Sequence, residues 1–200
     1  MGEVRATDGR TRRRAETKQR LYEAAVELIA EQGFSATTVD DIALRAKVAK
    51  GTVYYNFKSK NELFEELLRH GIGLLTEAFR EAVAGLAPRE AVAALVHAQL
   101  DYIRRYRAFA QLLLSEMWRT HREWHQTLIL LREQAIGVIA ETVQAGVDSG
   151  DLPGDLDVRV ASAALFGVGL VVAVDWLVFQ PERPIEDVAE SLLAIVRRVG

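Results

Sequence analysis

Two hundred residues, 50% apolar and 26% charged, describe a globular chain with a sizeable core and exclude disordered and fibrous architectures. The absence of cysteine excludes disulfide scaffolds, thiolate metal sites and cysteine nucleophiles, and suits a reducing cytoplasm. The net charge of −3 conceals an asymmetry: residues 1–60 carry 12 Lys and Arg against 8 Asp and Glu, residues 61–200 carry 13 against 20, and all five lysines lie in the first part. A basic end on an acidic body points to a polyanion at that end.

The first 15 residues hold arginines but no apolar stretch of the kind a signal peptide needs, and read as a flexible basic arm in which Arg10, Arg12, Arg13 and Arg14 could reach a nucleic-acid backbone or minor groove. The first predicted helix covers residues 17–32, where Leu21, Ala24, Ala25, Leu28 and Ile29 fall on one face. Gly33 supplies a left-handed stop. A short second helix starts at the capping box Thr38–Asp41 and buries Val39, Ile42, Ala43 and Ala46. A third covers about residues 50–57, and a second capping box, Ser59 with Glu62, opens a fourth over residues 61–84.

Two helices of about eight residues on either side of a three- or four-residue turn have the dimensions of a helix-turn-helix, whose second member enters the major groove. In the third helix Val53 and Phe57 supply the core face, leaving Lys50, Gly51, Thr52, Tyr54, Tyr55 and Asn56 outward. A glycine inside a helix costs about 1 kcal/mol relative to alanine. Close approach of another backbone to Gly51 would account for it.

The segment TTVDDIALRAKVAKGTVYYNFKSKNELFEELL, Thr37 to Leu68, resembles the DNA-binding region of the TetR (tetracycline-repressor-like) family of bacterial transcriptional regulators. The resemblance rests on the Thr-Thr start, the Ile-Ala pair, the Lys-Gly-Thr-Val-Tyr-Tyr recognition helix and the Phe-Lys-Ser-Lys that follows. It implies that Lys50, Gly51, Thr52 and Tyr54 approach base edges while Thr38, Tyr55, Asn56 and Lys60 clamp phosphates. Two departures stand out. Asn56 replaces the histidine most common in the family, and Lys47-Val48-Ala49 replaces the usual Gly-Val-Ser turn, which implies strain at Lys47 of about 1 kcal/mol and an added charge beside DNA.

Beyond the fourth helix, helical periodicity continues over residues 89–106, 109–118, 123–147, 157–179 and 185–199, so the chain is predicted all-α with about nine helices. The domain reading is an arm at 1–15, a helix-turn-helix domain at 16–60 and a ligand-binding and dimerisation domain at 61–200. The apolar run from Val160 to Val174 is only 15 residues, short of the ~20 that a membrane span needs, and no membrane partner is expected. It suits either an intra-chain core helix or a homodimer interface. In the second case Ala164, Gly167, Val171, Leu192 and Val196 meet their symmetry mates. The family resemblance further implies an effector cavity in the body, to which the bulky or polar residues Gln99, Tyr102, Met117, Trp118, Trp124 and Phe166 are candidate contributors. Asp175 among apolar neighbours suits a structural or interface pair.

No catalytic residues, cofactor or metal are expected. The sequence has no nucleophile elbow, no HExxH and no Walker loop, and the histidine pair His121/His125 sits among arginines as a solvated pair would. The reading is a ligand-responsive repressor that binds a double-stranded palindromic operator as a homodimer, and that a small hydrophobic effector releases. An effector-independent DNA-binding regulator and a helical small-molecule carrier are the alternatives.

Overall fold

The computed structural model describes residues 3–117 and 125–199. Apolar residues repeating every three or four positions become nine helices among the described residues: α1 (Glu3–Gln32), α2 (Val39–Arg45), α3 (Lys50–Asn56), α4 (Lys60–Val83), α5 (Pro88–Arg105), α6 (Arg107–Met117), α7 (His125–Ser149), α8 (Val158–Phe179) and α9 (Ile185–Val199). Residues 3–15, expected as an arm, are the first part of α1 instead. They contain no proline, and extending an existing helix adds one hydrogen bond for each residue fixed. The Arg12–Glu16 pair, 2.9 Å apart and four residues along the chain, bridges this segment to the rest of the helix.

The chain divides into two compact units, the first ending at Leu68 and the second starting at Arg69. The boundary lies later than the break expected at residue 60 because the first turns of α4 pack into the head. Leu63, Phe64 and Leu68 are fully buried and Leu67 nearly so; the Phe64 ring lies 4.9 Å from that of Phe34. Polar contacts fasten the same turns to α1. The Lys18 ammonium donates to Glu66 Oε2 at 2.6 Å and the Tyr22 hydroxyl donates to the same oxygen at 3.0 Å. Burial alone would raise the Glu66 carboxyl, but these two donors outweigh it and hold the group below its usual range.

Chain reversals in the head follow the local chemistry. Gly33 adopts φ +84° and its N–H donates to Ile29 O at 2.8 Å. Thr38 caps α2: its hydroxyl accepts from Asp41 N–H and the Asp41 carboxylate accepts from Thr38 N–H, each at 3.1 Å. At α4 the box is lopsided. Ser59 Oγ accepts from Glu62 N–H at 3.1 Å, whereas the Glu62 carboxylate takes the N–H of Lys58, one residue earlier than the reciprocal arrangement requires.

In the second unit α5 is the hub, packed against α6, α7, α8 and α9. Its Leu95, Val96, Leu100 and Ile103 are buried, and each such side chain withdrawn from water contributes about 1.5–3 kcal/mol. Two glycines permit close approaches here. A Cβ at Gly71 would lie 2.2 Å from the Phe109 ring, and a Cβ at Gly169 would lie 2.2 Å from Gln99 Oε1. At 22 residues α8 outlasts the 15-residue apolar run that marks it and has the length and composition to cross a bilayer. Its Ser162, Phe166, Gly169, Leu170, Ala173 and Trp176 are buried, and it packs on α5 and α7.

Candidate nucleic-acid interface

Val53 and Phe57, four residues apart and each 2% exposed, anchor α3 on the head core. Helical geometry then turns the intervening positions outward. Tyr54 and Tyr55 are 50% and 77% exposed, Lys50 and Gly51 are exposed, and Thr52 is half-buried. Thr38 and Lys47 are exposed as well. Leu44, unmarked by the sequence reading, is 80% exposed on α2.

The turn between α2 and α3 carries the expected strain. Lys47 has φ +55°, a left-handed conformation that costs a residue with a Cβ roughly 1–2 kcal/mol. Arg20 of α1 offsets it: its guanidinium donates to Ala46 O and, at 2.9 Å, to Lys47 O. Arg45 ties α2 to α1 in the same way through Glu27 at 3.1 Å and Glu31 at 2.9 Å. That contact raises the Arg45 guanidinium and lowers the Glu31 carboxyl, the Arg45–Glu31 hydrogen bond being the main cause of both. Local pattern could not reveal Arg20 or Arg45, because their partners lie 14 to 27 residues away.

The cations and polar groups of α3 are partly engaged within the head. Lys50 pairs with Asp40 at 2.8 Å; the hydrogen bond to that carboxylate raises the ammonium above its ordinary value. Arg14 lies 5.8 Å from the centre of the Tyr55 ring. Gly51 faces open space, with nothing within 4 Å of where a Cβ would stand.

Two residues expected to clamp phosphate are turned to other uses. Lys60 Nζ donates to Phe34 O and Thr37 O, both at 2.9 Å, and lies 4.2 Å from the Phe34 ring centre. It thus supplies donors to carbonyls of the α1–α2 loop. Asn56 is half-buried and donates through Nδ2 to Thr52 O at 2.8 Å, leaving its buried Oδ1 without a partner. Neither side chain is displayed as Tyr54 and Tyr55 are.

In the body, the candidate effector contacts that the structure describes are core groups. Gln99, 3% exposed, donates to Phe166 O at 2.8 Å. Tyr102 is buried and donates to Gly71 O at 2.7 Å; its burial raises the phenol well above its usual value. Phe166 is buried as well, with the Arg132 guanidinium 5.8 Å from its ring centre. Among the described residues, a half-open apolar cavity has none of these three in its lining. Trp118 and Trp124 lie outside the described residues, as does the side chain of Met117. The cavity, about 320 Å³, is instead lined by Val96, Val143, Leu156, Ala164, Val168 and Ile195 among others. A neighbouring groove of about 710 Å³ shares Val92, Leu152 and Pro153 with it and ends at Arg89 and Asp151.

Ala164 and Leu192, expected at a dimer interface, line the half-open apolar cavity together with the exposed Val168 and Ile195. The uncovered part of α8 is a stripe at helical spacing, Val160, Ala164, Val168, Val171, Asp175 and Val178. Gly167 flanks it, half-buried. Ile195 of α9 is 57% exposed; the Val196 side chain lies outside the described residues.

Comparison with known proteins matches residues 21–67 to bacterial regulatory proteins of the tetR family and residues 85–199 to the tetracyclin repressor-like C-terminal domain. The chain is 32% identical over 196 residues to the HTH-type transcriptional repressor KstR2 of Rhodococcus jostii, covering 95% of this chain and 92% of that one. The solved ketosteroid transcriptional regulator KstR2 of Mycobacterium tuberculosis superposes with a TM-score of 0.71 at 28% identity, covering 92% of each chain. The regulator FadR of Bacillus subtilis, solved in complex with stearoyl-CoA, shares the fold with a TM-score of 0.78 at 24% identity, over 88% of this chain and 96% of that one.

Because Gly51 is exposed with free space around it, Gly51→Ala is expected to stabilise the head by about 1 kcal/mol through helix propensity while weakening duplex binding. Urea unfolding and gel-shift titration of the same preparation check the two effects. A variant that gains stability and keeps full affinity would show that no backbone comes close to this position.

Proposed function

Since the chain belongs to the tetR family of bacterial regulatory proteins and is a DNA-binding transcriptional regulator, we propose that it is a ligand-responsive repressor, working in the cytoplasm as a homodimer on a palindromic operator. The observation that carries this reading is the outward face of α3, where a cation, a bare glycine and two exposed phenols stand over buried Val53 and Phe57. A lysine can address guanine O6 and N7, and an aromatic edge suits a thymine methyl.

Dimerisation is supported by the exposed apolar stripe of α8, which a second copy would cover. It has a geometric use: two recognition helices must reach half-sites about 34 Å apart. The effector is an apolar or amphipathic small molecule. The valine- and leucine-lined cavity beside α8 and α9 supports this, and so do the relatives KstR2, a ketosteroid transcriptional regulator, and FadR, which holds stearoyl-CoA. Its signal would travel by α4, which belongs to both units by sequence. The body end of that helix is gripped at Gly71 by the Tyr102 hydroxyl and the Phe109 ring. To move occupancy from 99:1 to 1:99 the effector must prefer the non-binding state by about 5.5 kcal/mol.

Selection from a random DNA pool is expected to return a palindrome, and Lys50→Ala or Tyr54→Ala to bind it no better than random duplex while melting as wild type does. Retained discrimination in both variants would remove these residues from the readout. Val171→Asp, in the middle of the α8 stripe, is expected to sediment as a monomer; an intact dimer would locate the interface elsewhere. Titrating the protein–duplex complex with stearoyl-CoA and with a ketosteroid, followed by fluorescence polarisation, is expected to release the DNA with one of them. Full polarisation with both would favour a regulator without a lipid-like effector.

A further inference from the structure

Asp40, the second residue of α2, and Lys50, which opens α3, meet although ten positions separate them. Lys50 Nζ lies 2.8 Å from Asp40 Oδ1 and 2.9 Å from Oδ2. Both side chains keep more than half of their surface in solvent, 56% for Lys50 and 63% for Asp40, so the pair adds little to stability. Capping does not account for Asp40 either, because Asp41 accepts from the Thr38 N–H and hydroxyl. A carboxylate is thus set on the surface offered to a polyanion, and it faces the cation best placed to read bases.

A free lysine on its flexible stem is a point charge that any phosphate satisfies, and a phosphate contact carries no sequence information. An ammonium held against both oxygens of a carboxylate attracts phosphate less. It still has N–H donors to spare, now at a defined position. We infer that Asp40 is a specificity-determining residue, which lowers affinity for arbitrary duplex and holds Lys50 Nζ for one base edge. This rests on the DNA-binding reading of α3 given above.

Asp40→Asn removes the charge and keeps the shape. Fluorescence polarisation across a salt series, on the selected palindrome and on a scrambled duplex of equal length, reads the outcome. Random-duplex affinity is expected to rise several-fold, with a log–log salt slope steeper by about 0.9, the share of one phosphate. The palindrome-to-random ratio is expected to fall by about fivefold or more, as the loss of one aimed base contact would give. In a Lys50→Ala background the same substitution is expected to shift both duplexes by one common factor and leave their ratio unmoved. Far-UV thermal melts should match wild type throughout. A ratio unchanged by Asp40→Asn overturns the inference while wild-type selection of a palindrome still stands. Wild type that selects no duplex overturns the DNA-binding reading and this inference with it.

Discussion

Burial of Val53 and Phe57 decides which way α3 faces, and most of the head can be read from that constraint. Of its seven residues and the cap, Val53 and Phe57 enter the core at helical spacing, Thr52 and Asn56 are half-buried, and Lys50, Gly51, Tyr54 and Tyr55 are left to solvent or to whatever docks there. The floor beneath them is supplied by α1, α2 and the first turns of α4, with Leu21, Ile42, Leu63 and Phe64 all fully buried. A seven-residue helix has too few internal hydrogen bonds to hold itself. Its rigidity is borrowed from this packing, and a surface meant to meet a rigid duplex gains by not having to be ordered at the moment of binding.

Charge in the head is distributed by the same logic. The basic excess that suggests a polyanion partner is smaller in effect than its count, because several cations are occupied. Arg20 holds the strained turn at Lys47, Arg45 ties α2 to α1, Lys18 meets Glu66 and Lys60 serves the carbonyls of residues 34 and 37. Each of these cations is spent on contacts within the head. Lys50, like Arg45, is exposed and paired at once, its partner being Asp40.

In the body, polar groups on an apolar face find partners on neighbouring helices. Gln99 in a stripe of valines and leucines has the look of a ligand contact, yet a glycine at 169 lets it reach across to a main-chain oxygen of α8. Tyr102 behaves alike toward Gly71. Among the described residues, open volume lies beside the α7–α8 loop and the stripe of α8 that remains exposed.

Sequence alone determined the helical class, the ends of the short helices and the buried face of α3, because those depend on spacing and on caps that act within four residues. Thr38 with Asp41, Gly33, and Val53 with Phe57 are all of that kind. It also placed strain at Lys47, which the backbone carries. Tertiary structure decided what no local rule reaches: that residues 3–15 continue α1, that the head runs to Leu68, that Lys60 and Asn56 turn inward, and that Gln99 and Tyr102 are bonded to main-chain carbonyls of neighbouring helices. In each case the deciding partner is either distant in sequence or a neighbouring side chain competing for the same space. Periodicity assigns a residue to a face, whereas the atoms it meets there are chosen by the packing of whole helices.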